Sequence, residues 1–513
     1  MLFKEKISKS ILIIFILLSI ALFFRVLNLN RGFSGDESSA VNISQLNTGQ
    51  ILHELKKKEL YPPLTYMLVH CWMHFNKSEV WIRLYFVFFG IGTCYLTYLI
   101  GKEYLDKKLG EVILLLASFS PLLIFASQYT RGYIDSAFWM MLSGLFMLKI
   151  IKSKSTLINW SGYIITTTLS LYTFYFSVLF LFSQFLFVSV FYWREKKILL
   201  KWYIAFAFIG LIFLPWAPSA FKQFQNASSI VYNWSDKGIN LGSLRLGLYT
   251  RNLSSIAGFD PYFMVYPGGI SAHFTKPILA ALIAGGFSSF LFILFISFNY
   301  LKKRFSSNAE LIWFPIFIIF IPVIISWLCA QLFNTLPNAK YFVALHAFFL
   351  ILMAVFINNL WNIRPLFGII IIVLILGIFS LRIPHSISSE FDRKGALSFL
   401  EKNMSERDCI ICVLSCPSGN KIINVIQLKD YLVLNENGSK YMIVSQSRWE
   451  KVMQKLQNFE KIWFYRLHGN VEIFGANQIV DNYLRQQGYS TGKINKFKNI
   501  DIIDYKKFEK QNK

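Results

Sequence analysis

The sequence predicts a polytopic α-helical membrane protein that carries a C-terminal α/β domain. Of its 513 residues, 55% are hydrophobic and 17% are aromatic, which is more apolar than soluble chains of this length. Uncharged runs such as Ile11–Phe24, Pro277–Phe298 and Leu366–Leu381 are long enough to cross a hydrocarbon layer of ~30 Å. Beyond about residue 383 the composition changes sharply, and short apolar runs alternate with helical patterns.

Hydropathy and length predict about eleven transmembrane spans. Basic side chains gather in the connections that follow alternate spans, as the positive-inside rule requires of cytoplasmic loops. The N-terminus is therefore predicted to be cytoplasmic and the C-terminus extracytoplasmic, in a cell membrane. The predicted spans cover residues 11–29, 80–101, 110–127, 133–151, 158–174, 175–192, 200–216, 277–299, 311–330, 341–358 and 365–382.

The net charge of +24 is explained by the basic residues of the predicted cytoplasmic loops. Lys and Arg in short cytoplasmic loops fix the orientation and meet anionic lipid headgroups. A nucleic-acid partner is not predicted, because no basic stripe lies on a soluble fold. The N-terminal apolar run is longer than that of a signal peptide and lacks a cleavage pattern, so it is interpreted as a retained first helix.

Two domains follow from this topology: a transmembrane domain over residues 1–382, with outer loops at 30–79 and 217–276, and an extracytoplasmic α/β domain over 383–513. In the first outer loop, helical apolar spacing marks Ser38–Leu46 and Leu64–Phe75, and the turn Tyr61-Pro62-Pro63 begins the second of these helices. In the C-terminal domain the patterns predict helices near Asp392–Lys402, 447–457 and 477–487, and strands at Cys409–Leu414, Tyr441–Val444, Lys461–Tyr465 and Ile500–Tyr505.

The pair Asp36-Glu37 is the first candidate for chemistry, because it follows the first span directly. A carboxylate at the boundary between water and membrane has the position of a general base toward a hydroxyl group. The alternative is a solvated acidic pair in an external loop. Neither residue has an obvious helix-capping partner in the sequence.

Two further candidates lie on the same predicted side of the membrane. Arg131 and Asp135 stand four residues apart in a short outer connection, which would place them on one helix face. A guanidinium suits a phosphate ligand, and the carboxylate would orient Asp36 or a sugar hydroxyl; an ion pair at the end of a helix is the alternative. Lys340-Tyr341 is either a cation for a lipid-linked phosphate or a pair of interfacial anchors.

No metal site is predicted. His70 and His74 stand four residues apart beside Trp72 and are interpreted as interfacial residues. Cys409, Cys412 and Cys416 have no second cluster that would complete a zinc site.

Taken in order, these stretches resemble the motifs of the dolichyl-phosphate-mannose-protein mannosyltransferase and ArnT-like (RgtA/B/C/D-like) membrane glycosyltransferases. Residues 61–66, Tyr-Pro-Pro-Leu-Thr-Tyr, are similar to the family's His-Pro-Pro-Leu-Tyr-Tyr segment, and Asp36-Glu37 resembles its acidic motif after the first span. The stretches at 80–101, 120–121 and 127–133 follow the family's order, and Lys340-Tyr341 resembles its late Arg-Tyr element. The similarity covers residues 10–150 well, the part from residue 340 weakly, and the rest only by topology.

The resemblance implies a GT-C fold and an inverting transfer of a sugar. The donor would be a polyprenyl-phosphate sugar, the acceptor a glycan, lipid or protein on the outer face, and no cofactor or metal is expected. Asp36 would deprotonate the acceptor, Asp135 would be a helper carboxylate, and Arg131 and Lys340 would stabilise the departing phosphate. The other residues implied in substrate binding are Glu37, Tyr61, Pro62, Pro63, Tyr133 and Tyr341.

This sequence departs from the family pattern at two positions: Tyr61 replaces the usual His, and Lys340 replaces the usual Arg while keeping the charge. Two other functions stay open. A transporter or flippase of lipid-linked glycans should show ionisable residues in mid-span and repeated halves, and neither pattern is evident. A degenerate relative that only binds lipid-linked sugar is disfavoured by the joint presence of Asp36, Arg131 and Asp135.

Overall fold

A computed structural model defines two compact units in the chain. The first comprises Met1–Leu29, Ile43–Met264 and His273–Ile387, and the second comprises Asn30–Asn42, Val265–Ala272 and Ser388–Lys513. The residues that the structure describes are 2–152, 154–225, 256, 276–306, 308–332, 339–386, 393–403, 408–413, 440–444, 461–467, 482, 484–486, 488–497 and 500–507. Most of the predicted outer loop 217–276, the predicted helix 447–457 and most of that at 477–487 lie outside the described residues.

The described residues up to position 403 are mostly helical. The helices are α1 (Leu2–Val26), α2 (Gly35–Ser44), α3 (Thr48–Lys58), α4 (Leu64–Met73), α5 (Glu79–Tyr104), α6 (Lys107–Phe119), α7 (Pro121–Gln128), α8 (Ile134–Ile151), α9 (Leu157–Thr173), α10 (Ser177–Phe191), α11 (Lys196–Phe213), α12 (Ala217–Gln225), α13 (Lys276–Arg304), α14 (Ala309–Leu332), α15 (Val343–Ile363), α16 (Pro365–Ser386) and α17 (Arg393–Asn403). A 3₁₀ turn at Ala339–Phe342 precedes α15.

Each predicted span overlaps at least one of these helices. Within the described residues, 6 helices are long and apolar enough to cross a membrane, or up to 8 if two bent pairs each count as one span. The bent pairs are α6 with α7, at 58°, and α11 with α12, at 75°. The protein is therefore a multi-pass membrane protein, and the number of eleven spans stays a prediction.

The break between α6 and α7 has a local cause. Pro121 has no N–H to continue the α6 ladder, and the Ser120 hydroxyl accepts a hydrogen bond from the Leu123 N–H to cap α7. The break leaves carbonyls at the end of α6 without helical donors. Arg25 from α1, fully buried, donates to the carbonyls of Ala117 (3.1 Å) and Ser118 (3.4 Å).

Side chains of α7 and α5 in turn donate to backbone carbonyls at the end of α1. The side-chain amide of Gln128, at the end of α7, donates to the carbonyls of Phe24 (3.3 Å), Arg25 (3.0 Å) and Leu27 (2.8 Å). The guanidinium of Arg83 on α5 donates to the Leu29 carbonyl at 2.8 Å. These polar contacts satisfy backbone groups that lie away from water, so the start of the connection after α7 has a fixed position.

Helix α15 lies in the core of the helical unit, since nearly all of its side chains are buried, whereas α1 and α16 expose most of theirs. The exposed residues of α1 and α16 are aliphatic and aromatic, as expected of surfaces that face lipid. Polar side chains join α8, α9 and α10 inside the unit: Tyr163 donates to Gln184 at 2.9 Å, and the hydroxyls of Ser143 and Thr167 lie 2.7 Å apart.

In the second unit, the described part of the C-terminal region forms a sheet of five strands. The strands are β1 (Cys409–Val413), β2 (Lys440–Val444), β3 (Lys461–Leu467), β4 (Tyr489–Phe497) and β5 (Ile500–Lys507), in the order β2-β1-β3-β5-β4. β1 pairs in parallel with β2 and β3, whereas β5 is antiparallel to β3 and β4. The sequence prediction missed β4, because its residues are mostly polar and half of the strand is exposed.

Candidate active site

The two connecting segments that carry the sequence motifs meet within the helical unit. Residues 59–66 lie between α3 and the first turn of α4, and residues 129–135 join α7 to α8. Arg131 donates from Nη1 to Glu59 at 3.2 Å and to the Tyr66 hydroxyl at 2.5 Å. The ion pair is buried, with exposed fractions of 5% for Arg131 and 10% for Glu59. Its charges are thus exposed to little water.

Asp135 lies in the first turn of α8 and is buried. One carboxylate oxygen accepts from the Thr65 hydroxyl at 2.7 Å and from the Tyr85 hydroxyl at 3.4 Å, and the other accepts from the Ser136 N–H at 3.0 Å. A carboxylate at a helix N-terminus is also favoured by the helix dipole. Asp135 therefore ties α4, α5 and α8 together.

The expectation that Arg131 and Asp135 share a helix face is wrong. Arg131 lies in the turn before α8, where its N–H donates to the Tyr129 carbonyl at 2.8 Å and its carbonyl accepts from the Tyr133 N–H at 2.7 Å. The helix begins only at Ile134, so the spacing of four residues does not correspond to one helical turn. The next residue, Gly132, is close-packed: a Cβ there would lie 2.7 Å from the Thr65 hydroxyl.

Aromatic rings surround this turn. The hydroxyls of Tyr61 and Tyr133 lie 2.8 Å apart, within hydrogen-bond distance. The Phe174 ring packs against both, with centroid distances of 6.0 Å to Tyr61 and 5.3 Å to Tyr133. Tyr341 lies 6.0 Å from Tyr133 by ring centroid. We call Tyr61, Tyr129, Tyr133, Phe174 and Tyr341 the aromatic cluster.

Lys340 brings a second cation to the aromatic cluster. It lies in the 3₁₀ turn before α15 and is half-buried. Its ammonium nitrogen is 5.4 Å from the Tyr129 ring centroid and 5.5 Å from that of Tyr133. Arg131 lies over another ring of the cluster, with its Cζ 4.8 Å from the Tyr61 centroid. Both contacts fall within the range of cation–π attraction.

Tyr61 is a neutral hydrogen-bonding group at physiological pH. Burial raises its pKa well above the ordinary tyrosine value, and the neighbouring hydroxyls of Tyr133 and Tyr341 raise it further, whereas Arg131 and Lys340 lower it. Pro62 and Pro63 are buried beside it, and Pro63 is the N-cap residue of α4, as the turn Tyr61-Pro62-Pro63 predicted. The prolines thus shape the backbone that presents Tyr61.

Asp36 and Glu37 lie in the first turn of α2 and belong to the second unit. The Ser34 N–H donates to the Glu37 carboxylate at 2.8 Å, and the Glu37 N–H donates to the Ser34 hydroxyl at 3.4 Å. This reciprocal pair is a capping box, so the expectation that neither carboxylate has a capping partner is wrong for Glu37. Glu37 is buried, whereas Asp36 is exposed.

The structure brings together six of the ten predicted site residues, and the sequence missed several of their partners. Tyr61, Arg131, Tyr133, Asp135, Lys340 and Tyr341 lie in one set of contacts within the helical unit. Thr65 and Tyr66 stand inside the motif at 61–66, so a closer look at that motif would have found them. Nothing in the sequence singled out the other partners, Glu59, Tyr85 and Phe174.

The described residues contain no group of three or more His, Cys, Asp or Glu side chains placed to hold a metal ion. The Nδ1 atoms of His70 and His74 lie 2.9 Å from the carbonyls of Ser44 and His70, respectively. These two histidines are thereby engaged with backbone groups.

Fold and site together define a multi-pass helical membrane protein with an added α/β unit and a buried, cation-bearing aromatic cluster between the helices. Neither the models of known protein families nor the curated protein sequences match the chain. Solved structures do match its fold, and those of ArnT and of the oligosaccharyltransferase AglB have the GT-C fold.

Three matches show the extent of the likeness. ArnT from Cupriavidus metallidurans in the apo state has a TM-score of 0.56 at 12% identity, covering 98% of each chain. The same protein bound to undecaprenyl phosphate has a TM-score of 0.54 at 11% identity, and the match covers 97% of this chain and 98% of that one. The oligosaccharyltransferase AglB from Archaeoglobus fulgidus, in complex with an inhibitory peptide and a dolichol-phosphate, has a TM-score of 0.53 at 14% identity. That match covers 90% of this chain and 69% of the AglB chain. The chain has the GT-C fold, as the motif resemblance implied.

Proposed function

We propose that the protein is an inverting glycosyltransferase that moves a sugar from a polyprenyl-phosphate donor to a glycan, lipid or protein acceptor on the outer face of a cell membrane. The observation that carries this proposal is the placement of Lys340 and Arg131 on the aromatic cluster, at the ends of apolar helices. A polyprenyl tail stays in the bilayer, so its phosphate lies at this boundary. The GT-C neighbours bound to undecaprenyl phosphate and dolichol-phosphate support the same class of ligand.

In the proposed reaction, the acceptor hydroxyl loses its proton to Asp36 and its oxygen attacks the anomeric carbon of the donor. The bond between that carbon and the phosphate oxygen breaks, and polyprenyl phosphate leaves with the electron pair. Because negative charge grows on the leaving phosphate, a nearby cation lowers the barrier. Lys340 is the proposed contact for that phosphate, and Arg131, paired with Glu59, lies over the Tyr61 ring of the same cluster.

The other site residues have proposed supporting roles. Tyr61, as a neutral hydroxyl, and the half-buried Tyr341 are suited to hydrogen bonds with phosphate or sugar oxygens. Asp135 is the helper carboxylate that holds the motif segments in place. The contacts of Glu37 favour a role in capping the helix that carries Asp36.

The test uses purified full-length protein with a panel of polyprenyl-phosphate sugars and acceptors. Wild type is expected to release polyprenyl phosphate, and Asp36→Asn is expected to lower the rate by roughly 10²–10⁴-fold, as for removal of a general base. Asp106→Asn is the matched control, because Asp106 accepts from the Leu109 N–H at the predicted cytoplasmic end of α6. Equal rates for wild type and Asp36→Asn would refute the mechanism.

A wild-type protein that binds lipid-linked glycans but transfers no sugar from any donor would favour the transporter or flippase alternative. Chelation by EDTA is expected to leave the transfer rate unchanged, since the resembled family works without metal. Loss of activity that a divalent ion restores would overturn that expectation.

A further inference from the structure

Glu59 is a carboxylate whose side chain is 10% exposed; it lies outside every sequence motif and is the C-cap residue of α3. We propose that Glu59 is a positioning residue: it fixes the Arg131 guanidinium so that Arg131 holds Tyr61 and Tyr66, and it leaves the phosphate contact to Lys340. This inference rests on the proposed transfer from a polyprenyl-phosphate donor. It divides the two cations of the site into one that shapes the site and one that meets the substrate.

The geometry of Arg131 carries the first step. One nitrogen, Nη1, donates to both Glu59 and Tyr66, and the guanidinium face lies over the Tyr61 ring. These three contacts are all with residues of the segment 59–66. Since a guanidinium is rigid and planar, fixing its edge with a carboxylate also fixes the direction of its face.

The contacts of Tyr61 carry the second step. The Tyr61 hydroxyl lies 2.8 Å from that of Tyr133, and the Tyr133 ring lies beneath the Lys340 ammonium at 5.5 Å. A displaced Arg131 would therefore shift Tyr61. Through the hydroxyl contact of Tyr61 with Tyr133, it would also shift the Tyr133 ring against which Lys340 packs. Glu59 thus acts on the phosphate-facing cation without touching the substrate.

Charge carries the third step. Glu59 and Arg131 form an ion pair that is exposed to little water, so the pair presents little net charge to a phosphate. If Glu59 lost its charge, Arg131 would add an uncompensated positive charge close to the aromatic cluster. Such a change should strengthen phosphate binding even as it disorders the site, a combination that simple damage to the fold does not produce.

The experiment measures binding of undecaprenyl phosphate and dolichyl phosphate to the purified full-length protein, alongside the rate of sugar transfer. Glu59→Gln keeps the shape of the side chain and removes its charge. It is expected to bind the lipid phosphate about tenfold more tightly, from one unscreened charge at short range, while kcat falls by about tenfold or more. Glu59→Asp keeps the charge and is expected to return the affinity to that of wild type.

Three further variants complete the design. Lys340→Met is expected to weaken lipid phosphate binding by about tenfold or more. The double variant Arg131→Gln/Glu59→Gln removes both charges of the pair, and it is expected to lower kcat with a much smaller effect on binding. Glu103→Gln is the matched control, because Glu103 pairs with the exposed Lys154 at 2.6 Å in the predicted cytoplasmic connections. It should match wild type in both measurements.

Glu59→Gln that binds lipid phosphate more weakly, or as wild type does, would overturn the positioning role. If the double variant Arg131→Gln/Glu59→Gln weakens binding as much as Lys340→Met does, the division between the two cations is overturned. Failure of wild type to bind either lipid would instead refute the proposed function. If Glu59→Gln does not fold, Glu59→Asp must still retain wild-type affinity at a lowered rate, and any weaker binding by it counts against the proposal.

Discussion

The Thr65 hydroxyl donates a hydrogen bond of 2.7 Å to the buried carboxylate of Asp135, and so joins the two motif segments at their far ends. At the near end the same segments are joined by the ion pair of Glu59 and Arg131. Because Thr65 and Asp135 lie 70 positions apart in the chain, the bond also fixes α4 against α8. Loss of this hydrogen bond should therefore lower both the stability of the protein and its transfer rate.

Thr65→Val removes the hydroxyl and keeps the size of the side chain. It leaves a buried carboxylate without its shortest hydrogen bond, so the free energy of unfolding should fall by about 1–3 kcal/mol. Thermal unfolding in detergent measures the loss. Thr97→Val is the control, because the Thr97 hydroxyl only donates to the Cys94 carbonyl within its own helix. Equal losses in the two variants would contradict a special role for the bond between Thr65 and Asp135.

Gly132 is expected to tolerate no side chain. A Cβ there would lie 2.7 Å from the Thr65 hydroxyl and 3.0 Å from the Thr173 carbonyl oxygen, and the carbonyl belongs to a backbone that cannot rotate away. Gly132→Ala should lower the free energy of unfolding by about 1–3 kcal/mol through overpacking. Gly210→Ala, where a Cβ meets nothing within 4 Å, is the control and should be neutral or stabilising. A stable Gly132→Ala would show that the two motif segments are not close-packed.

Glu37 and Asp36 should separate in a mutational test, although they are adjacent. Glu37→Gln retains the capping box and should leave stability and transfer rate close to wild type, whereas Glu37→Ala should lower the free energy of unfolding by about 0.5–2 kcal/mol. Asp36→Asn should keep wild-type stability and lose activity, since Asp36 is exposed. If a stable Glu37→Gln protein lost donor binding, Glu37 would be a substrate-binding residue and not only a helix cap.

The helical plan could be predicted from the sequence because membrane spans are defined by long apolar runs, which need no knowledge of neighbours. The same rule predicted one span at 110–127, where Pro121 divides two helices. In the second unit, apolar β1 and β3 were evident, whereas polar β4 was not. Helix α3 was missed because its sequence is rich in charge, although the Asn47 and Gln50 capping box marked its start.

The site was predictable in its residues more than in its contacts. Arg131 and Lys340 stood out by type and position, Tyr61 was implied by the family resemblance, and all three lie at the aromatic cluster. Glu59 did not stand out, because it lies 72 positions from Arg131 and just outside the motif at 61–66. The spacing of Arg131 and Asp135 was misinterpreted because a helical period holds only inside a helix, and Arg131 precedes α8.

The final prediction concerns Arg25, which lies at the break between α6 and α7. Its guanidinium donates to the carbonyls of Ala117 and Ser118, which the break at Pro121 leaves without helical partners. The Cys94 thiol also donates to the Ala117 carbonyl, at 3.6 Å. Arg25→Met keeps an unbranched apolar stem and removes the guanidinium donors, so the free energy of unfolding should fall by about 1–3 kcal/mol for the Ser118 carbonyl left unsatisfied away from water. The midpoint of thermal unfolding in detergent or nanodiscs measures this loss.

The matched control for Arg25 is Arg194→Met, since Arg194 is exposed and its guanidinium rests on the Trp193 ring at 4.8 Å. That change should shift the midpoint little, because exposed charges contribute little to stability. Arg25→Met should also lower the transfer rate, since Ser127 and Gln128 next to this break lead directly into the turn that carries Arg131. A folded Arg25→Met protein with wild-type stability would mean that the broken helix satisfies its own carbonyls.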